Sequence, residues 1–287
     1  MKYFAIPLLA GAVFCCAQAP AQKLEFQEHI SKEFTISQSA SASTLAIYNI
    51  NGYIKVEGYD GNKVVLEIDK TITAKDEANL QKGKAEFKLE YDEKADSITA
   101  YISEPFDSRP NRNWKERNER KVEYHFELNY TVKVPYSLNL HVSTVNGGNV
   151  EVSNVTGALD VSNVNGAVKI VNAKGKTVAR TINGNVEANY VALPPGESDY
   201  KTLNGDIKIS YPATLSADCQ FKSFNGDFYT DFPNAESLPP KVVKNAENQD
   251  SKTVYKLNTE TMIRFGNGGK TFKFETFNGN IYIKKQS

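Results

Sequence analysis

The stretch STVNGGNVEVSNVTGALDVSNVNGAVKIVN, residues 143–172, repeats one phrase several times. Glycines stand at Gly147, Gly157, Gly166, Gly175 and Gly184, then at Gly205 and Gly226, with Gly279 late in the chain. Every second one closes a tetrapeptide of Thr, Ser or Asn, an apolar residue, Asn and Gly. The pairs are Asn51-Gly52, Asn146-Gly147, Asn165-Gly166, Asn183-Gly184, Asn204-Gly205, Asn225-Gly226 and Asn278-Gly279. Asn and Gly both tolerate the backbone angles of a sharp corner. After each glycine the sequence alternates with period two, which marks a strand with one buried face. The expected inward residues are Leu159/Val161, Val168/Ile170, Val186/Ala188, Ile207/Ile209 and Ile281/Ile283.

Asn-Gly turns also build hairpins. Hairpins alone give no reason for one corner to return every 18 to 21 residues, whereas a coil with two corners per turn does. The expected fold is therefore all-β: a short parallel β-solenoid with two glycine corners per coil, with an antiparallel β-sandwich as the alternative. Stacked coils bring like positions into columns about 4.8 Å apart. The first outward residues after the corners would then stack as Glu151, Lys169, Glu187, Lys208 and Tyr229, with charges alternating along most of the column.

Upstream, VEYHFELNYTVKV alternates without a fault from Val122 to Val134, and 63–73 and 86–103 contain similar runs. These predict antiparallel strands on the N-terminal side that cap the coil, whose open end would otherwise expose unpaired strand edges. Two irregular stretches interrupt the pattern. Residues 104–120 are polar and basic and hold the single tryptophan, and 231–251 reads as a surface loop or arm. RFGNGGKTFKF, from Arg264, reads as a hairpin leading into the last corner.

The chain opens with Lys2, an apolar run from Tyr3 to Phe14 and then small residues, the layout of a secretory signal. Ala19-Pro20-Ala21 fits the cleavage rule, so residues 1–21 are expected to be a signal peptide and 22–287 a single domain. Acylation at Cys15 or Cys16 is the rival use of the same leader. No second long apolar run predicts a transmembrane span. The remaining cysteine, Cys219, has no partner for an internal disulfide and is expected to pack inside the coil. About 265 residues suffice to hold a domain together by burial.

With 34 basic and 34 acidic residues the chain lacks the cationic excess that nucleic-acid binding calls for. No zinc spacing, nucleophile elbow or phosphate loop is present, and no cofactor is expected. Asp206 and Asp227 follow successive corner glycines, which would set their carboxylates roughly 5 Å apart. That separation would suit a calcium ion or a glycosidase pair. Trp114 with Arg112 and Arg117 is the expected partner contact, because Trp and Arg dominate interface hot spots, and Tyr229 is a further ligand-binding candidate.

One further likeness rests on the strand end Val134-Pro135, the run Asn139-Leu140-His141-Val142-Ser143-Thr144-Val145-Asn146-Gly147, the repeated glycine corners and the closing Thr276-Phe277-Asn278-Gly279-Asn280-Ile281. With these features the chain resembles the bacterial putative-adhesin domains of unknown function, relatives of the head domain of autotransporter-type adhesins. The resemblance covers roughly residues 44–285 and is strongest across 130–230. It implies an all-β coil-like domain exported to the bacterial envelope, with no known catalytic residues. The expected function is a non-enzymatic envelope or surface protein in the periplasm or at the cell surface, binding a glycan or an envelope protein. A self-assembling structural protein and a polysaccharide-acting enzyme are the alternatives.

Overall fold

The computed structural model describes residues 23–110, 121–239, 242–243, 256–257 and 261–286. Two large sheets hold almost all of the strands. In sheet I, of 11 strands, the central strands run into the Asn-Gly corners. In sheet II, of 10, they run out of them. Each rung is one strand from each sheet joined through a corner, and like strands of successive rungs pair in parallel. The alternating burial of Val150–Ser153, Leu159–Ser162 and Val186–Tyr190 follows the period of two. The expected inward aliphatics are buried, none more than 4% exposed. This is a two-sheeted wound stack, and the sandwich alternative falls because its sheets would pair antiparallel.

The rungs do not stack in chain order at either end. From one end they are Ser97–Glu104 with Tyr124–Pro135, then Thr44–Tyr48 with Ile54–Tyr59. Next come Asn139–Ser143 with Val150–Ser153, Leu159–Ser162 with Val168–Ala173, and Thr177–Arg180 with Val186–Tyr190. Ser198–Lys201 with Ile207–Tyr211 follows, then Thr271–Asn278 with Ile281–Lys285, and last Ala217–Asn225 with Phe228–Thr230. Segments 44–59 and 271–285 are thus inserted as penultimate rungs. The coil therefore begins well before residue 139, and the chain between the two strands of the outermost rung contains no Asn-Gly pair.

Antiparallel strands lie on the N-terminal side as expected, but Tyr124–Pro135 and Ser97–Glu104, expected in the cap, are themselves the outermost rung. Leu24–Thr35 pairs antiparallel with Lys63–Ala74, which pairs antiparallel with Tyr124–Pro135. Lys88–Glu93 pairs antiparallel with Ser97–Glu104. A helix, Glu77–Glu86, joins these layers and starts at Asp76, whose side chain accepts the N–H of Asn79.

Two readings of the C-terminal part change. Ala235–Leu238 is a strand that pairs antiparallel with Thr261–Phe265, so part of the presumed loop belongs to sheet I. Thr261–Phe265 and Thr271–Asn278 are not a hairpin: they lie on opposite sides of Ala217–Asn225, one antiparallel and one parallel to it. Glycines at 266, 268 and 269 make a crossing connection that a short hairpin turn would not need.

The outward column on sheet II runs Lys55, Glu151, Lys169, Glu187, Lys208, Tyr282 and Tyr229. Lys55 and Tyr282 extend and interrupt the expected series because their segments are inserted out of order. Lys169→Glu would set three acidic residues in line. With roughly 0.2–1 kcal/mol for each facing pair, its thermal midpoint should fall below that of Lys174→Glu, which lies in a loop. Equal midpoints in calorimetry would show that the column does not hold the register.

Candidate binding surface

Every position of the corner has its own task. The first residue turns inward and donates to the glycine carbonyl of the neighbouring rung: Thr144 to Gly52 at 2.9 Å, Thr181 to Gly166 at 2.8 Å, Thr202 to Gly184 at 2.8 Å and Thr276 to Gly205 at 3.0 Å. Asn163 reaches the Gly148 carbonyl in the same way at 2.9 Å. These buried donors satisfy carbonyls that would otherwise be stranded in the core.

The third residue forms a continuous carboxamide column. Asn146 donates to Asn51 at 3.4 Å, Asn165 to Asn146 at 2.7 Å and Asn183 to Asn165 at 2.7 Å. Asn204 to Asn183, Asn278 to Asn204 and Asn225 to Asn278 follow, each at 2.8 Å. The corner pairs are therefore structural first. Each carboxamide within the column spends one N–H and one lone pair, which leaves one of each for solvent or ligand.

The second residue has no inward place left, because its two neighbours are committed to the frame. It therefore points out. Ile50 is buried and Val145 and Val164 are half-buried, but Ile182, Leu203, Phe277 and Phe224 are 43%, 46%, 44% and 74% exposed. These four occupy consecutive rungs and make one apolar ridge beside the asparagines. Phe224 and Phe277 stack with centroids 4.7 Å apart and planes 2° from parallel.

Tyr229, the expected ligand residue, is 47% exposed and stacks on Tyr282 at 5.1 Å. Lys208 and Lys284 lie 5.8 and 5.7 Å from the Tyr282 ring. Tyr229 is separated by the corner from Phe224, so two parallel aromatic pairs flank Asn225, Asn278 and Asn280. The sequence reading missed Phe224, Phe277 and Tyr282. The apolar slot of the motif was the available signal, since an apolar residue between two turn-forming positions has little chance of burial.

Asp206 and Asp227 do not neighbour each other. The rung carrying Asn280 lies between them, so they are two rungs, about 10 Å, apart. Both belong to a second polar column: Asn185 accepts the N–H of Asp206, Asp206 that of Asn280 and Asn280 that of Asp227, each at 2.9 Å. The close carboxylate pair expected for calcium or glycoside cleavage is therefore absent. Among the described residues no group of three or more His, Cys, Asp or Glu side chains is placed to hold a metal.

Trp114, Arg112 and Arg117 lie outside the described residues. At the base of their segment, the Arg109 guanidinium stacks 3.8 Å over the Tyr101 ring and bonds Asp107 at 2.6 Å and Asp92 at 3.2 Å.

A wound stack whose corners repeat at this interval has a counterpart among known families. Residues 132–261 match the Toastrack family, DUF4097. The Toastrack match begins in the strand Tyr124–Pro135 and spans the central rungs, and the same winding continues beyond it on both sides. The expected resemblance to a family of domains of unknown function holds. No curated protein matches the chain.

Three solved structures are similar to it. A putative cell adhesion protein from Clostridium sporogenes ATCC 15579 is 9% identical, with 91% of this chain and 100% of that one covered and a TM-score of 0.44. A putative adhesin from Bacteroides fragilis NCTC 9343 is 13% identical over 90% and 97%, with a TM-score of 0.36. A putative lipid binding protein from Parabacteroides distasonis ATCC 8503 is 9% identical over 90% and 97%, with a TM-score of 0.28.

Proposed function

We propose that this is a non-enzymatic protein of the bacterial envelope or cell surface that binds a ligand along its Asn-Gly edge, with a glycan as the first candidate and an envelope protein as the second. The observation that carries this reading is the ridge of Ile182, Leu203, Phe277 and Phe224, four large apolar side chains in a line on the outside of a frame that fixes each of them. A contiguous exposed apolar track costs solubility and marks an interaction site. The chemistry beside it suits saccharides: aromatic rings pack against the C–H faces of sugars, and the spare carboxamide groups hydrogen-bond hydroxyls. The frame is already ordered, so binding loses little conformational freedom. The envelope address rests on residues 1–21, whose pattern is that of an export signal.

A glycan array probed with the protein and with Ile182→Ser/Leu203→Ser tests this. Both positions are exposed, so the double variant should keep the β-rich circular dichroism of the parent. Glycans held by the parent should be held at least tenfold more weakly by the variant. Equal binding would remove the ridge from the function, and a parent that holds no glycan would leave only the protein ligand.

A further inference from the structure

The last rung, Ala217–Asn225 with Phe228–Thr230, repeats the bonding pattern of the others on one side only. Its Asn225 carboxamide donates back to Asn278, but no described residue donates to Asn225 Oδ1. Asn280 Oδ1 accepts the Asp227 N–H, while Asp227 Oδ1 meets no N–H among the described residues. In the three rungs behind it, the corner glycine N–H donates to the asparagine carbonyl of the next rung: Gly184 to Asn204, Gly205 to Asn278 and Gly279 to Asn225, all within 3.0 Å. The N–H of Gly226 comes next in that series. Phe224 and Tyr229 stack on Phe277 and Tyr282, and among the described residues no further ring meets their outer faces.

The two sheets also end unevenly here. Sheet I continues past this rung with Thr261–Phe265 and Ala235–Leu238, whereas sheet II stops at Phe228–Thr230. Over that overhang, Ala235 is exposed and Ile263 and Phe228 are only half-buried.

We infer that this end of the stack accepts one more half-rung: an extended segment of another polypeptide, carrying an aromatic-Asn-Gly-Asn or -Asp corner and then a strand, docked parallel to Phe228–Thr230. The interface would be the rung-to-rung contact that the chain already makes along its length, with main-chain bonds supplying affinity and the corner supplying specificity. Each open group has a named complement. The incoming asparagine carboxamide donates to Asn225 Oδ1, the N–H following its glycine meets Asp227 Oδ1, and its aromatic ring covers Phe224.

The edge of a second copy does not fit. A two-fold related Phe228–Thr230 would run antiparallel and break both polar columns. The opposite end of the stack presents Leu24–Thr35, a charged strand without an Asn-Gly corner. This surface is the end face of the stack, distinct from the lateral ridge, and the inference does not depend on the ridge binding anything.

A labelled peptide with the chain's own corner, TFNGNIYIKK (Thr276–Lys285), serves as the probe. Titrated with the full protein, its fluorescence anisotropy should rise and saturate. The same peptide with Asn278→Ala and Phe277→Ser should bind at least tenfold more weakly, and the peptide of reversed sequence should not saturate. Phe224→Ser in the protein should weaken the native peptide by a similar factor. Asn225→Ala, also exposed, gives a second reading if the first variant folds poorly. No saturation with the native peptide would overturn the inference, as would equal binding of the reversed peptide. Light scattering that shows the protein pairing with itself through this face would also overturn it, by making a second copy the occupant.

Discussion

Gly279→Ala should lower the thermal midpoint by roughly 6–12 °C, or stop the chain from folding, although it adds one methyl group. Gly279 closes the corner of an inserted rung. A Cβ there would lie 1.9 Å from the carbonyl oxygen of Gly205 and 2.5 Å from its carbonyl carbon. That obstacle is backbone, fixed in the parallel ladder and bonded to Thr276 at 3.0 Å, so no side chain can swing aside. Overpacking of a well-packed site costs about 1–3 kcal/mol and sometimes more, and here the corner and the rung behind it must separate together.

At this chain length each kcal/mol moves the midpoint by about 2–4 °C, so a cost near 3 kcal/mol gives the stated range. Gly196→Ala is the control, because the nearest atom to its added Cβ is a lysine side-chain carbon at 3.7 Å. Differential scanning calorimetry of the two variants decides the matter. Midpoints within 2 °C of each other would mean that the corner glycines are tolerated choices rather than requirements of the stacking.

The same close approach explains why the winding was legible in the sequence. A rung spacing that brings backbone against backbone leaves room only for glycine at the corner, and the buried carbonyl there requires a short polar donor three residues before the glycine of the adjoining rung. Those two demands recur at each turn and write a motif. The order of the rungs writes nothing comparable. Thr271–Lys285 carries the same corner as Ser198–Tyr211, so nothing local says which neighbour it takes, and adjacency in the chain was the natural guess. That guess put Asp206 beside Asp227, where the structure has Asn280. Similarly, the Ser97–Glu104 strand reads as one more alternating run, and only its parallel pairing with Thr44–Tyr48 makes it part of the coil. The ridge was half legible: the apolar slot is visible in every motif, but its exposure rises along the stack, from buried Ile50 to exposed Phe224, and the motif does not carry that gradient.

The second large effect lies in the core, where Tyr190, Tyr200 and Tyr211 are fully buried and linked by their hydroxyls. Tyr211 donates to Tyr200 at 3.2 Å, and Tyr200 donates to Tyr190 at 2.6 Å. Tyr200 also stacks on Phe274, and Tyr211 on Tyr190 and Phe272, so the rings pack as apolar bodies whose polar ends must satisfy one another. Tyr200→Phe keeps the packing but removes the central link, leaving the Tyr211 hydroxyl without its acceptor. A stranded buried hydroxyl costs about 1–3 kcal/mol, whereas removing all partners at constant shape is nearly neutral. The single variant should therefore unfold several degrees below the parent, and the triple Phe variant should recover much of that loss.

Burial holds all three hydroxyls well above the ordinary tyrosine range. The unfolded chain would begin to lose these protons near pH 10, while the folded chain keeps them. The contribution to stability is therefore full below about pH 10 and declines above it, by up to about 1.4 kcal/mol per pH unit for each tyrosine. Urea unfolding at pH 8 and pH 11 should show a steep alkaline loss in the parent and a shallower one in the triple variant. Parallel losses would place the alkaline sensitivity outside this cluster, and a triple variant no more stable than Tyr200→Phe would mean that the hydroxyl chain itself, rather than its completeness, holds the rungs together.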